Sequence, residues 1–379
     1  LKLLKMIYLY YSDRFSEYDF GPHHPLRSVR LTLTYGLMED YGLLDGEDVR
    51  IVEPPLASDE DLLSVHTPEY LEAVRSERPN VLFGLGTSDN PVFDGIYDAS
   101  RLVAGGSIDA ARRIVEEDCS AFNFAGGLHH ATPDRASGFC IFNDPALAIR
   151  VLRERFDRVL YVDIDAHHGD GVQEIFYRDP NVLTISIHES GRYLFPGTGF
   201  VDERGEGPGL GRAVNVPMPP GSSDGAYERA FEEIVPRLFE KFRPEVVVAQ
   251  LGADAHYSDP LTDLNLTLLG YGRLVSRIKE LADLRAEGRL LALGGGGYNL
   301  KVVPIAWAIA LQIMKGEEVR EYLPPFWAEL FRSEVGGTPL CPPDAQLKID
   351  EGAQKRIDED LDQTLSNLKN KLSEIHGIF

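Results

Sequence analysis

Cysteine is scarce in this sequence and a long apolar run is missing. Cys119, Cys140 and Cys341 are three among 379 residues. They are too few and too scattered for a disulfide framework or a four-cysteine zinc site, so reduced thiols are the expectation. No apolar stretch approaches the ~20 residues that a membrane-spanning helix needs. The N-terminal segment lacks the basic, apolar and small-residue succession of a secretory signal. A soluble, cytoplasmic protein is therefore expected. Basic residues are also in deficit, 38 against 60 acidic, for a formal net charge of -22. Such a surface repels nucleic acid phosphate and favours neutral or cationic partners; taken alone, the charge says no more than a solvated or salt-adapted surface.

What is present is alternation. Strand-like apolar runs recur at 6–11, 50–52, 120–124, 159–164, 182–187, 246–251 and 290–293, with helix-length amphipathic segments between most of them. Asp144-Pro145 reads as an N-cap and first helical residue ahead of Leu147, Ile149 and Leu152. A second helix is expected from about Ser223, using Tyr227, Phe231, Ile234, Val235 and Leu238 and stopping before Pro244. This pattern predicts an α/β fold, a mostly parallel sheet with helices on both faces. Residues 1–335 are expected to form one catalytic domain. Gly336-Gly337-Thr338-Pro339 and Pro342-Pro343 mark a loop, and residues 336–379 end in a polar helix. Its Ile357, Leu361, Leu365, Leu368 and Leu372 share one face, expected to pack on the domain or on a second subunit.

The chemistry is concentrated in Asp163-Ile164-Asp165-Ala166-His167-His168-Gly169-Asp170, directly behind the apolar run Val159 to Val162. In an extended chain Asp163, Asp165 and His167 share a face, and a buried strand end so charged is costly unless a cation neutralises it. Three further polar clusters follow apolar runs: Gly126-Gly127-Leu128-His129-His130, Gly252-Ala253-Asp254, and the glycines 294–297 ahead of Tyr298. Parallel α/β sheets bind ligands at their carboxyl edge, so these segments are expected to build one site. Asp165, His167 and Asp254 form an open metal set that suits zinc, and also ferrous iron or manganese. Singly, each aspartate would read as a loop or helix cap.

His129 and His130 can carry protons near neutral pH, and Asp163 and Asp170 can orient one imidazole each. His23-His24, His66, His188 and His256 read as satisfied structural histidines. The glycines lack the Lys-Ser/Thr of a phosphate-binding loop. They can instead admit close backbone approach and present the Tyr298 hydroxyl to an oxyanion.

In this order the motifs, together with Gly138-Phe139-Cys140-Ile141-Phe142-Asn143-Asp144 and Phe195-Pro196-Gly197-Thr198-Gly199, resemble the histone deacetylase superfamily over about residues 6–315. Ser88-Asp89-Asn90-Pro91 and the segment from Gln250 to Pro260 look most like the prokaryotic acetoin utilization protein deacetylases. The resemblance implies an arginase/deacetylase-like three-layer α/β/α fold with about eight strands. It also implies zinc-dependent removal of acetyl from lysine, acyl-CoA synthetases being candidate substrates. By that resemblance Asp165, His167 and Asp254 are metal ligands, and His129, His130, Tyr298, Asp163 and Asp170 are catalytic. Phe139 and Phe195 are walls of the acyl-lysine channel, beside Gly138 and with Leu261 near the rim. Asp89 holds the substrate backbone, and Arg27 lies beside an acetate exit cavity. A structural potassium ion falls to Asp163, Asp165, His167, Ser186 and Ile187.

The nearest rival is a deacetylase of acetylpolyamines or other small amides. A ureohydrolase of the same fold would want a further acid where His256 stands, and an acyl-lysine binder without catalysis would not need an intact Tyr298, His129 and His130. Oligomeric state is left open.

Overall fold

The computed structural model describes residues 5–320, 322–332 and 350–378. Eight strands form one all-parallel sheet: β1 (Ile7–Tyr10), β2 (Val49–Val52), β3 (Ser120–Asn123), β4 (Val159–Asp163), β5 (Val182–Glu189), β6 (Ala213–Met218), β7 (Val246–Gln250) and β8 (Leu290–Leu293). Their order in space is β2-β1-β3-β8-β7-β4-β5-β6. The helices are α1 (Val29–Asp40), α2 (Asp59–Leu63), α3 (Pro68–Arg75), α4 (Ile96–Glu116), α5 (Asp144–Leu152), α6 (Asp170–Phe176), α7 (Asp224–Phe242), α8 (Leu268–Arg285), α9 (Val302–Lys315), α10 (Pro325–Arg332) and α11 (Glu351–His376).

Strand alternation divides the interior into two cores. Tyr8, Val159, Tyr161, Val248 and Leu291 face one cluster, which includes Ala111 and Ile114 of α4, Ile149 of α5 and Phe176 of α6. Leu9, Leu160, Val162, Val247 and Ala292 face the other, with Leu37 of α1, Phe231 of α7, Leu274 of α8 and Trp307 of α9. Central strands buried on both faces read as continuous Val/Ile/Leu runs, which is why most of them were legible. The expected α/β/α sandwich is what forms.

Two departures are informative. Strand β6, Ala-Val-Asn-Val-Pro-Met, was missed. It lies at the sheet edge, where Pro217 costs no ladder bond and Asn215 can bond to the Gln173 side chain at 2.7 Å. The cap of α5 is Asn143, not Asp144: Asn143 Oδ1 accepts from Ala146 N at 3.0 Å, and Asp144 is the first helical residue. That shift frees the Asp144 carboxylate for the site. Helix α11 buries Ile357, Leu361, Leu365, Leu368 and Leu372 and lies against α7 and β6. Lys369 Nζ reaches Glu233 at 2.6 Å, and His376 Nε2 lies 2.9 Å from Gly211 O. Cys341 and the expected loop at 336–343 lie outside the described residues.

Candidate active site and metal centre

The four strands followed by polar clusters, β3, β8, β7 and β4, are consecutive neighbours in the sheet. Segments far apart in sequence therefore meet above its carboxyl edge. Asp165, His167 and Asp254 are buried, each offering a ligand atom, and these atoms lie within 4.8 Å of one another. His167 Nδ1 stands 2.9 Å from Asp254 Oδ2 and 3.3 Å from Asp165 Oδ1.

Backbone donors fix both carboxylates. Ala166 N donates to Asp254 Oδ1 and Gly296 N to Asp165 Oδ2, each at 2.7 Å. The glycines are there for room: a Cβ on Gly252 would overlap Asp165, and one on Gly296 would overlap Asp254. Burial disfavours a charged His167, but the Asp165 and Asp254 carboxylates overcome it and raise the imidazole to about 10. Two buried carboxylates thus demand positive charge between them. Two oxygens and one nitrogen with coordination positions to spare fit a divalent cation such as zinc.

Beside this centre runs a chain of imidazoles and carboxylates. His129 Nδ1 lies 3.0 Å from Asp163 Oδ2, His129 Nε2 lies 3.0 Å from His130 Nε2, and His130 Nδ1 lies 2.7 Å from Asp170 Oδ1. Asp163 is itself held by the Tyr161 hydroxyl at 2.8 Å and by Asp165 N at 3.0 Å. Burial opposes charge on His129, yet Asp163 and then Asp165 outweigh it and lift this imidazole to about 9. Burial, reinforced by His129, lowers His130 to about 4. Positive charge is therefore favoured on the inner histidine over His130.

The loop carrying the histidines is clamped from below. Buried Asp144 accepts from Leu128 N at 2.7 Å, from Gly127 N at 2.9 and 3.1 Å, and from Ser107 Oγ at 2.5 Å.

Aromatic rings stand beside the histidines and the metal donors. Phe195 lies edge-on to His130, centroids 5.0 Å apart, and Phe139 edge-on to Tyr298 at 5.7 Å. A Cβ on Gly138 would sit 2.5 Å from the His130 ring and 2.8 Å from Phe195. Phe139 holds φ +70°, a left-handed conformation of the kind that costs of order 1–3 kcal/mol, with its carbonyl held by the Tyr18 hydroxyl at 2.7 Å. Tyr298 stands over His167, centroids 6.3 Å apart. Burial, then Asp254 and Asp165, push its phenol well above the ordinary value, so it remains a donor.

Residues 24–314 match the Histone deacetylase domain. The chain belongs to the histone deacetylase family. Acetoin utilization protein AcuC of Bacillus subtilis is 43% identical over 327 residues, covering 84% of this chain and 84% of its own. Histone deacetylase clr6 of Schizosaccharomyces pombe is 38% identical over 330 residues, covering 84% of this chain and 79% of its own. The crystal structure of an HDAC homolog from Aquifex aeolicus superposes with a TM-score of 0.81 at 31% identity, covering 94% of this chain and 99% of that one. An HDAC homolog complexed with SAHA gives 0.83 at 32% identity, covering 95% and 100%.

Asp89 is exposed, its carbonyl 3.2 Å from Nε2 of buried His24, whose ring also packs edge-on against Phe139 at 4.5 Å. His24, read from sequence as structural only, thus touches both Asp89 and Phe139. Leu261 N donates to Asp259 Oδ1 at 3.0 Å. Ser186 pairs in register with Asp163 across β5 and β4, and its hydroxyl lies 2.8 Å from His188 Nδ1; Ile187 is buried beside it.

Half-buried Arg27 donates to Pro22 O at 3.0 Å, whereas buried Arg30, one helical turn on, donates to Gly295 O at 2.8 Å and Gly297 O at 3.0 Å. Helical periodicity gave the signal: Arg30, Leu31, Thr34, Leu37 and Met38 form the buried face of α1. Asp144 and Asp259 were missed because each reads as an ordinary cap or turn residue. His256, the position relevant to a second metal, bonds Ser258 Oγ through Nδ1 at 2.9 Å.

Proposed function

We propose that this protein is a metal-dependent protein-lysine deacetylase, hydrolysing the Nε-acetyl amide to lysine and acetate. The observation that supports it best is the meeting of Asp165, His167 and Asp254, drawn from two separate loops, beside the paired imidazoles of His129 and His130.

Held by those three ligands, zinc would polarise the amide carbonyl and acidify the attacking water. His130, or the histidine pair acting jointly, takes the proton of that water as its oxygen bonds the carbonyl carbon. The Tyr298 hydroxyl donates to the oxyanion so formed, a contribution typically worth ~3 kcal/mol. As the carbon–nitrogen bond breaks, the histidine pair returns a proton to the departing lysine amine. Asp163 and Asp170 hold the Nδ1–H of His129 and His130, keeping both Nε2 atoms turned towards the chemistry. Phe139 and Phe195 enclose the apolar lysine stem, Gly138 leaves room between them, Leu261 stands at the rim, and Asp89 holds the substrate backbone.

A structural potassium ion is assigned to Asp163, Asp165, His167, Ser186 and Ile187. Acyl-CoA synthetases are the candidate substrates and the cytoplasm the expected location. No helix among the described residues is long and apolar enough to cross a membrane. Exposed Asp89, and Phe195 at 42% exposed, favour a polypeptide over an acetylpolyamine, which calls for a closed rim. The test compares acetate release from an acetyl-lysine peptide and from N-acetylputrescine, with and without chelator. Faster peptide turnover, abolished by chelator, is expected; faster polyamine turnover rejects the protein-substrate reading.

A further inference from the structure

We propose that Asp259 is a positioning residue for Tyr298, fixing the phenol at the head of the channel from a neighbouring loop. The inference rests on the reading of Tyr298 as the oxyanion donor. Tyr298 follows four glycines, of which Gly295 and Gly297 hold φ +102° and +136°. Such a run has little intrinsic preference for one conformation, so the direction of the next side chain must be set by contacts.

The contact on the Tyr298 backbone is a buried carboxylate: Asp259 Oδ2 accepts its N–H at 2.8 Å, while Asp259 Oδ1 accepts from Leu261 N at 3.0 Å. A carboxylate that is 7% exposed is costly to bury unless its oxygens are satisfied. Here both are, by the two backbone groups that aim the phenol and the rim leucine. The loops are laced on either side of this bond. Ala253 N donates to Gly296 O at 2.8 Å, and Asn299 Nδ2 donates to Ser258 O at 3.0 Å and Oγ at 2.9 Å. The loop that supplies metal donor Asp254 therefore also sets where Tyr298 points.

Asp259→Asn keeps one acceptor and turns an NH2 towards the other N–H. The test measures kcat and KM for an acetyl-lysine peptide on the zinc-loaded full-length protein, for Asp259→Asn, Tyr298→Phe and the double variant. The single Asp259→Asn change is expected to lower kcat by on the order of 10- to 100-fold, the scale of a small misplacement of a reacting group, with KM little changed. In the Tyr298→Phe background the same change should cost less than about 3-fold, because there is no hydroxyl left to aim.

Equal losses in both backgrounds, or unaltered kcat in Asp259→Asn, overturn the proposal while leaving the role of Tyr298 intact. Unaltered kcat in Tyr298→Phe overturns that role and the proposal with it. If Asp259→Asn does not fold, Asn299→Ala, at a half-buried position, loosens the same lacing. Its kcat loss must likewise vanish without the Tyr298 hydroxyl, and persistence refutes the idea.

Discussion

Replacing Asp144 should damage the fold and the chemistry together, because one buried carboxylate holds up the loop of the paired histidines. Asp144 has no exposed surface and satisfies the N–H groups of Gly127 and Leu128 as well as the Ser107 hydroxyl. Truncation to alanine leaves two buried N–H donors without an acceptor, at about 1–3 kcal/mol each. A loss of roughly 2–6 kcal/mol is a large part of the 5–15 kcal/mol typical of a folded domain, so the alanine variant is expected to accumulate poorly.

Asp144→Asn is the more useful change. Its oxygen can still serve Leu128 N, but its NH2 confronts Gly127 N, and the charge-assisted bond to Ser107 is lost; about 2–3 kcal/mol should disappear. Urea unfolding followed by far-UV circular dichroism measures that loss. Acetate release in the native baseline should fall about 10-fold as His129 and His130 lose their register with the metal centre. A variant within ~0.5 kcal/mol of wild type, with activity within about 2-fold, refutes the clamp.

Other outcomes follow from the same geometry. Gly296→Ala places a Cβ on Asp254 Oδ2 and should weaken zinc binding by roughly 10- to 100-fold, read by competition with a chromophoric chelator. Tyr298→Phe should lower kcat by about 10²- to 10³-fold with little change in KM in steady-state assays.

Buried His66 accepts from Asn143 N at 3.0 Å and donates to Thr132 O at 3.1 Å, and burial lowers it to about 4. Its folded value lies below the unfolded value of about 6.5. The neutral ring therefore contributes up to roughly 3 kcal/mol above that unfolded value, lost as pH falls from about 6.5 towards 4. The stability gap between wild type and His66→Gln should therefore narrow between pH 7.5 and 4.5; a gap independent of pH contradicts the assignment.

Much of this organisation was legible because the central strands are apolar on both faces and the polar clusters stand directly behind them. Residue type and order were enough to nominate Asp165, His167, Asp254, His129 and His130 as one site. What the sequence did not reveal depends on direction in space. Arg30 rather than Arg27 turns inward because α1 presents it to the interior. Asp144 serves a loop more than a dozen residues away because Asn143 already caps α5, and Asp259 reaches across to the next strand's loop. Strand β6 escaped notice because an edge strand tolerates the proline and asparagine that argue against a central one.

The central claim is that one divalent cation, held by Asp165, His167 and Asp254, is required for amide hydrolysis. Chelator-stripped protein should be titrated with zinc while acetate release from an acetyl-lysine peptide is followed. Activity that rises from background and levels off at one zinc per chain is predicted; full activity without metal, or a plateau only at two, contradicts it.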